Sequence, residues 1–254
     1  MNIIAIIPAR GGSKRLPGKN IMDFCGRPLI AWTIIQARSC KGIDGIYVTT
    51  DSDEIAAVAQ EYGAIVFMRD DPRESLDATV GGVPTYFAYK KIRKMQPIDG
   101  VFHLFPTSPL RKPEHFDKIL QIYKENGRQA VTCFTVIKDF YISKKIDSHT
   151  CQQFIQSKKS DYLYDNGGSG MVSPRYFESA TNWPETHTIW EDPTTWPLTE
   201  ELPPNKRPVS YFLHESWQGY EIDYQADFDL CEFFFERYLL AEWEAIYEQL
   251  SKGK

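Results

Sequence analysis

Short runs of apolar residues alternate along this chain with longer segments in which apolar residues recur every three or four positions. The short runs predict β-strands, and the longer segments predict amphipathic helices. Strands are expected at residues 3–7, 45–49, 64–67, 100–105 and 129–136, and helices at residues 28–39, 51–62, 79–94 and 113–125. Because strands that alternate with helices build a mostly parallel sheet with flanking helices, the sequence predicts an α/β fold in a single domain over residues 1–254.

The alternation stops at residues 137–161, where a Lys-rich segment predicts extended hairpins outside the sheet and a candidate dimerisation arm. Residues 162–172 predict a strand, a turn at residues 165–170, and then a second strand or a helix. Residues 183–208, rich in Pro, Thr and Trp, predict a long ordered loop near a ligand site. From about Gln225, apolar residues at three- and four-residue spacing predict one final helix with an apolar face.

Local signals mark the start of two of the helices. Pro28 suits the first turn of its helix. Asp51 and Glu54 have the spacing of a capping box, and Gly63 is expected to end the same helix. A metal-binding role for Asp51 stays open beside the capping role.

The composition limits the classes of partner. The 254 residues are 42% hydrophobic and 25% charged, and the net charge of −5 argues against nucleic acid or a membrane surface as partner. Five cysteines without a Cys-x-x-Cys pair argue against a disulfide framework and a zinc site, so a reducing cytoplasm is expected. No apolar run approaches about 18 residues, and Met1 leads directly into a strand, so neither a membrane span nor an export signal is predicted.

The most informative segment follows the first strand. Residues 8–20 read Pro-Ala-Arg-Gly-Gly-Ser-Lys-Arg-Leu-Pro-Gly-Lys-Asn. Its glycines allow backbone N–H groups to approach phosphate oxygens, and its four cations offset the charge of a nucleoside triphosphate. The glycines are Gly11, Gly12 and Gly18, and the cations are Arg10, Lys14, Arg15 and Lys19.

A solvated basic turn is the alternative for this segment. Its position favours a ligand, because α/β folds bind ligands at the carboxyl ends of their strands. The common phosphate-binding patterns do not fit, since the chain has no Gly-x-Gly-x-x-Gly and the Walker spacing is one residue too long. Neither a dinucleotide dehydrogenase nor a P-loop ATPase is therefore predicted.

Glu221 and Asp223 are the candidate metal ligands. On an extended segment they project from the same face, and Mg²⁺ takes few protein carboxylates and fills its other positions with water and phosphate oxygens. The alternative is a solvated acidic turn in which Asp227 caps the last helix. A triphosphate loop in the same chain favours the metal role, because phosphoryl transfer uses Mg²⁺.

Two further groups of polar residues follow predicted strands. Arg69, Asp77 and Thr79 come after the third strand, where they could contact phosphate or a nucleobase. The proline-bounded turn at residues 105–111 is placed to present hydroxyl and backbone groups at the crevice. Arg111 could bind an anion or hold the turn together. No histidine pair has metal-ligand spacing and no nucleophile elbow occurs, so acyl transfer is not predicted.

These motifs together resemble the CMP-sialic acid synthetases and their relatives that activate other keto-deoxy sugar acids. The resemblance covers residues 6–20 nearly residue for residue, then residues 48–52, residues 106–111, Asn166-Gly167 and residues 221–223, in the expected order. It implies a mostly parallel, Rossmann-like nucleotidyltransferase sheet and a small dimerisation element. It also implies transfer of CMP from CTP to an acidic sugar, with Mg²⁺ as cofactor and a homodimer as the assembly.

The resemblance also assigns roles to residues of this chain. It implies that Arg10, Lys14 and Lys19 hold the triphosphate as catalytic residues, and that Glu221 and Asp223 hold Mg²⁺. The nucleotide-binding set is Ala9, Arg10, Gly11, Gly12, Ser13, Lys14, Lys19, Asn20, Arg69, Asp77 and Thr79. The substrate-binding set is Phe105, Thr107, Ser108, Arg111, Tyr164, Asn166 and Gly167.

Three positions depart from the family pattern and leave the acceptor open. Phe105 and Tyr164 replace a glutamine and an arginine, and Glu221 replaces an aspartate. Legionaminate-like, pseudaminate-like and other acidic acceptors all stay possible. The alternatives to a sugar cytidylyltransferase are a nucleotidyltransferase that uses another triphosphate or an acceptor such as a phosphonate, and a non-catalytic nucleotide-binding subunit.

Overall fold

The computed structural model describes residues 1–71, 74–75, 82–125, 131–136, 141–145, 151–156, 163–172, 209–213 and 215–252. The strands are β1 Ile3–Pro8, β2 Asp23–Phe24, β3 Arg27–Pro28, β4 Gly45–Thr50, β5 Ile65–Met68, β6 Gly100–Leu104, β7 Val131–Val136, β8 Tyr141–Lys145, β9 Cys151–Gln156, β10 Leu163–Val172 and β11 Val209–Leu213. The α-helices are α1 Leu29–Ser39, α2 Asp53–Glu61, α3 Gly82–Arg93, α4 Pro113–Glu125, α5 Gln225–Tyr238 and α6 Leu240–Lys252.

The main sheet has the order β11-β7-β10-β6-β1-β4-β5 within the described residues. Neighbouring strands pair in parallel except β10, which is antiparallel to both β6 and β7. The chain passes from β1 to β4 and β5 on one side of β1, and α3 then returns it to β6 on the other side. This reversal creates a crevice at the carboxyl ends of β1 and β6, where α/β folds bind their ligands. The predicted α/β fold is confirmed.

Strand β1 lies at the centre of the core because its two faces are both apolar. All six of its residues are buried. Ile3, Ala5 and Ile7 join the larger core cluster, whereas Ile4 and Ile6 pack in a second cluster that includes residues of α3. A strand covered by helices on both faces is expected to be continuously apolar, as this one is.

Helices α1 and α6 pack together in the larger core cluster. The rings of Trp32 and Trp243 are completely buried there, and the ring of Trp32 packs against Phe235 of α5 at a centroid distance of 4.8 Å. The indole N–H of Trp243 donates to the Arg111 carbonyl at 2.9 Å. The C-terminal helices therefore support the turn that follows β6.

Several sequence-based expectations need correction. Ser52, not Asp51, caps α2, since its hydroxyl accepts a hydrogen bond from the amide of Ile55. The expected final helix is two helices, α5 and α6, with Leu239 between them. Residues 163–172 form one strand whose register shifts between Asp165 and Gly170, so the glycine run is a bulge within a strand.

Two expectations concern the segments outside the main helices. Strands β8 and β9 pair with each other as a separate antiparallel hairpin, as expected for residues 137–161. Its role as a dimerisation arm stays a prediction. The expected loop at residues 183–208 lies outside the described residues. Over the part of the chain that is described, no helix is both long enough and apolar enough to cross a membrane.

Candidate active site

A cavity of about 380 Å³ opens in the crevice at the carboxyl ends of β1 and β6. Among the described residues, four cationic side chains and one carboxylate line it, together with a short apolar wall. The lining consists of Pro8, Arg10, Ser13, Lys14, Arg15, Lys19, Asn20, Phe105, Pro106, Thr107 and Asp223. The cavity thus brings together the basic loop, the turn after β6 and the acidic segment near residue 222, which are far apart in sequence.

The glycines of the basic loop are needed for packing and backbone conformation. A Cβ at Gly11 would lie 2.9 Å from the Cβ of Ser52, and Gly18 has a left-handed φ of 68°. The amide of Gly11 donates to Asp51 Oδ1 at 2.7 Å, so this amide is bound within the protein. A Cβ at Gly12 would meet nothing within 4 Å, so the loop surface there is open.

Lys19 connects the loop to the acidic segment. Its ammonium group donates to the carbonyl of Ile222 and lies 3.8 Å from Asp223 Oδ1. The amide of Ile222 donates to the carbonyl of Thr107 at 2.8 Å. Burial lowers the pKa of Lys19, and Asp223 acts in the opposite direction. Lys19 therefore lines the cavity and also fixes the segment that carries the two carboxylates.

Asp223 faces the cavity and pairs with the loop cations. Its Oδ2 accepts a hydrogen bond from Arg15 at 2.8 Å, and the side chains of both residues are more than half exposed. The guanidinium of Arg15 also lies over the ring of Tyr224, 5.4 Å from its centroid. Asp227 accepts hydrogen bonds from the amides of Asp223 and Tyr224, so it caps α5 as the alternative interpretation expected.

Glu221 lies deeper than Asp223. Its Oε1 accepts a hydrogen bond from the buried hydroxyl of Ser108 at 2.9 Å. Burial raises its pKa, and the charge of Asp223 acts in the same direction, whereas Ser108, Arg111 and Lys19 oppose the rise. Asp223 therefore lies near enough for its charge to act on Glu221. Among the described residues no group of three or more His, Cys, Asp or Glu side chains could hold a metal.

Arg69 ties together the ends of β4 and β5. Its guanidinium donates to the carbonyls of Thr49 and Glu74 at 3.1 Å and 2.9 Å, and to the hydroxyl of Ser75 at 3.4 Å. It does not line the cavity described above. Asp77 and Thr79, which were predicted beside it as nucleotide contacts, lie outside the described residues.

The predicted substrate-binding residues separate into two groups. Phe105 and Thr107 line the cavity, and Phe105 packs against the ring of His103 at a centroid distance of 4.4 Å. Arg111 is buried and donates to Gln36 Oε1 at 3.0 Å and to the Phe105 carbonyl at 2.7 Å. The guanidinium of Arg111 therefore holds the turn after β6, which is the second of the two roles left open for it, and a substrate contact stays a prediction.

Ser108 also has a supporting contact beside the cavity. Its side chain is buried and its hydroxyl is used by Glu221, so it supports a carboxylate and does not line the cavity. Tyr164, Asn166 and Gly167 belong to β10. Because Ser169 pairs with Leu104 in antiparallel register, these residues run past the carboxyl end of β6, at the edge of the sheet where the cavity opens.

Sequence reasoning gave too little weight to two residues. Arg15 was recognised as a loop cation but received no site role, although it lines the cavity and binds Asp223. Asp51 was interpreted as a helix cap or a metal ligand, whereas it binds the Gly11 amide. Only its position at the end of a predicted strand beside β1 could have indicated this contact.

The chain is similar to known proteins in sequence and in fold. A family model described as cytidylyltransferase matches residues 4–164, more than half of the chain. The chain is 41% identical over 135 residues to the CMP-N,N'-diacetyllegionaminic acid synthase of Legionella pneumophila, a match that covers 52% of this chain and 57% of that protein. It is 40% identical over 198 residues to a pseudaminic acid cytidylyltransferase of Campylobacter jejuni, which covers 75% of this chain and 84% of that protein.

A solved structure of CMP:2-keto-3-deoxy-manno-octonic acid synthetase complexed with CTP shares the fold. The TM-score is 0.66 at 18% sequence identity, and the match covers 94% of this chain and all of that one. At this level of identity the likeness concerns the fold alone. The family model and the sequence match to the Campylobacter protein carry the family assignment.

Proposed function

The chain belongs to the cytidylyltransferase family, and from this premise we propose that it transfers CMP from CTP to the anomeric hydroxyl of an acidic keto-deoxy sugar and releases pyrophosphate. The proposed acceptor class is the nonulosonic acids, such as sialic, legionaminic or pseudaminic acid, because the similar proteins from Legionella and Campylobacter are named for two of them. One observation carries the proposal: the cationic loop, the carboxylate of Asp223 and the turn after β6 line one cavity.

The cationic wall of the cavity suits the triphosphate. Arg10, Lys14 and Lys19 place positive charge beside the end of β1, where the phosphates would lie. As the acceptor hydroxyl attacks the α-phosphorus in line, negative charge builds on the departing pyrophosphate. Fixed cations that already face this charge lower the barrier without reorganisation.

The carboxylates suit Mg²⁺. Asp223 offers hard oxygen atoms at the cavity surface, and its partners Arg15 and Lys19 are cations that phosphate oxygens could engage instead. Glu221 lies beside it and has one oxygen bound by Ser108. Two carboxylates completed by phosphate oxygens and water fit the preferences of Mg²⁺. When bound, the ion would supply positive charge that neutralises the triphosphate.

The β6 side of the crevice suits the acceptor. Phe105 and Thr107 line the cavity there, and the register of β10 carries Tyr164, Asn166 and Gly167 past the end of β6. Arg69 lies at the end of β5, on the opposite side of β1. We therefore assign the β4–β5 side to the nucleotide and the β6–β10 side to the sugar.

The test is a pyrophosphate-release assay. Purified protein is mixed with CTP, Mg²⁺ and, one at a time, sialic, legionaminic and pseudaminic acids and 2-keto-3-deoxy-manno-octonic acid. We expect acceptor-dependent release of pyrophosphate with at least one acid and the matching CMP-sugar by mass spectrometry. Addition of EDTA is expected to stop the release.

Asp223→Asn tests the metal role within the same assay. It removes the charge of the cavity carboxylate but preserves its shape, so we expect kcat to fall by about a hundredfold or more. Asp229→Asn, on the exposed face of α5, is the matched control and should be unaffected. Unchanged Mg²⁺-dependent turnover by Asp223→Asn would remove Asp223 from the metal site, and no release with any acid would contradict the proposed function.

We also propose a cytoplasmic homodimer in which the β8–β9 hairpin is the dimerisation arm. The sequence departs from its sheet-and-helix alternation in this segment, and the hairpin is separate from the main sheet. Analytical ultracentrifugation of the full chain and of a variant with residues 141–156 replaced by a short Gly-Ser linker tests the assembly. A monomeric full chain would contradict it.

A further inference from the structure

One peptide group in the basic loop is bound on both of its polar atoms. The side-chain amide of Asn20 donates to the carbonyl of Arg10 at 3.0 Å, and the amide of Gly11 donates to Asp51 Oδ1 at 2.7 Å. The carbonyl of Arg10 and the amide of Gly11 belong to the same peptide bond. In a planar trans peptide these two groups point in opposite directions, so the two side chains hold it from opposite sides.

Holding this peptide matters because two residues with wide backbone freedom follow it. Gly11 and Gly12 are adjacent, and glycine adopts backbone angles that other residues avoid. An uncompensated rotation about a bond that flanks the Arg10–Gly11 peptide would redirect the following loop amides relative to the Arg10 side chain. The close packing of Gly11 on Ser52 leaves no room for a side chain there, so the peptide itself must be held.

Asn20 and Asp51, which bind this peptide, are themselves held in place. Asn20 is buried within the short 3₁₀ helix Lys19–Ile21. Burial favours the neutral form of Asp51, but the Gly11 amide, the Ser75 hydroxyl and the charge of Arg69 outweigh it, so its pKa lies below the ordinary value. Arg69, which directly follows β5, in turn binds the backbone carbonyls of Thr49 in β4 and of Glu74. The arrangement therefore links the carboxyl ends of β1, β4 and β5.

We propose that Asp51 and Asn20 are positioning residues that clamp the Arg10–Gly11 peptide and so hold the loop in the conformation that receives the triphosphate of CTP. This inference rests on the proposed function. It gives Asp51 neither the helix-capping role, which Ser52 fills, nor a role as a metal ligand. It also gives Asn20 an indirect role, through the backbone of Arg10.

The first experiment compares Asp51→Ala with Asp51→Asn by isothermal titration of CTP, with Mg²⁺ and with EDTA. Asparagine keeps an oxygen that accepts the Gly11 hydrogen bond, whereas alanine does not. We expect Asp51→Ala to weaken CTP binding about tenfold, and by the same factor with Mg²⁺ and with EDTA. The CTP affinity of Asp51→Asn should stay within about threefold of that of the wild type. Asp229→Ala, which removes an exposed carboxylate outside the cavity, is the control for net charge.

A double-mutant cycle tests the partnership of the two residues. Asn20→Ala alone is expected to weaken CTP binding by a factor similar to that of Asp51→Ala. Because both side chains hold one peptide group, the Asp51→Ala/Asn20→Ala double variant should lose clearly less than the product of the two factors. Multiplicative losses would indicate that Asn20 contacts the nucleotide independently, which would overturn the clamp.

The Gly11 amide gives a readout that requires no ligand. In a ¹H–¹⁵N correlation spectrum, this amide should shift and exchange faster with solvent in Asp51→Ala, and should stay near its wild-type position in Asp51→Asn. Thermal unfolding of both variants shows whether the fold is retained. A general loss of stability would not produce a change confined to Gly11 and its neighbours.

Three further results would overturn the inference. They are wild-type CTP affinity in Asp51→Ala, a loss in Asp51→Asn as large as in Asp51→Ala, and a loss that appears only when Mg²⁺ is present, which would make Asp51 a metal ligand. If the wild-type protein does not bind CTP, the proposed function is contradicted. The role of the clamp in CTP binding is then contradicted as well. A wild type that binds CTP but transfers nothing would contradict the function and leave the clamp testable by the same titrations.

Discussion

Lys19 and Arg15 both pair with Asp223, yet the two contacts differ in burial. Lys19 is almost entirely buried and also donates to the carbonyl of Ile222, whereas the Arg15–Asp223 pair is more than half exposed. Exposed ion pairs contribute little to stability, while a buried group that loses its hydrogen-bond partner is costly. The two residues are therefore expected to respond differently to replacement.

We predict that Lys19→Met lowers the free energy of unfolding by about 2 kcal/mol, because the Ile222 carbonyl loses its charged donor. Arg15→Ala should lower it by less than about 1 kcal/mol. Urea denaturation followed by circular dichroism measures both values on the same chain. Equal effects of the two replacements would contradict the role assigned to Lys19 in fixing the acidic segment.

Cys25 provides a prediction that depends on pH. Burial raises its pKa to about 12, and the charges of Glu232 and Glu236 add to the rise. Only the thiolate reacts, so at pH 8 the thiolate fraction is about a thousandfold smaller than for an ordinary cysteine. We predict that iodoacetamide alkylates Cys25 at least a hundredfold more slowly in the native protein than in urea. The rate in the native protein should rise about tenfold per pH unit.

Peptide-resolved mass spectrometry assigns the alkylation to individual cysteines. Cys40 and Cys231, whose pKa values burial raises to about 11 and about 12, should behave in the same way as Cys25. Rapid native labelling of Cys25 at pH 8 would show that its thiol is not in the environment described.

The elements predicted best from sequence were those whose periodicity and end signals agree. Helix α4 has the expected bounds, and β1, α1 and β4 differ by one residue at an end. The break at Leu239 was missed because both C-terminal helices continue the same apolar spacing. Strand β10 was predicted as two segments separated by a turn because its glycine run is typical of turns, whereas pairing with β6 and β7 keeps it extended.

For the site, sequence predicted the residues better than their partners. The basic loop, Phe105, Thr107 and Asp223 do line one cavity. Ser108 and Arg111 lie beside it but bind Glu221, Gln36 and a backbone carbonyl. The bonds to Glu221 and Gln36 join residues 113 and 75 positions apart and leave no local pattern, so spacing alone could not separate cavity-lining residues from those that support them.

Helix α6 supports the turn after β6 through Trp243. Its ring is completely buried, and its N–H holds the backbone of Arg111, whose guanidinium holds Phe105. We predict that Trp243→Phe, which keeps an aromatic ring, lowers the free energy of unfolding by about 1–3 kcal/mol, and that Trp243→Ala lowers it by about 3–5 kcal/mol.

Trp217→Phe is the matched control for Trp243. Trp217 is only partly buried and stacks on Phe234 and Tyr238, contacts that a phenylalanine ring can largely keep. We expect a change within about 0.5 kcal/mol, measured by urea denaturation. A larger effect at Trp217 than at Trp243 would contradict the support that α6 is inferred to give.

The whole molecule should be stabilised selectively by CTP. A ligand that binds only the folded state raises stability by RT ln(1 + [L]/Kd), or about 2.7 kcal/mol at a concentration 100 times its Kd. For a chain of this length we expect the melting temperature to rise by roughly 5–10 °C with CTP and Mg²⁺. Differential scanning fluorimetry with CTP, UTP, ATP and GTP provides the comparison, and equal shifts with all four would argue against selection of cytosine.

The hydrogen bonds of Ile222 determine when, during synthesis, the cavity can be completed. This residue joins Thr107 and Lys19, yet it leaves the ribosome some two hundred residues after Lys19. A nascent chain that has completed β1, β4 and β6 has the basic loop but lacks the segment that closes the cavity. Partly translated chains should therefore be unable to consume CTP, and the capacity to do so should arise only when the last helices dock.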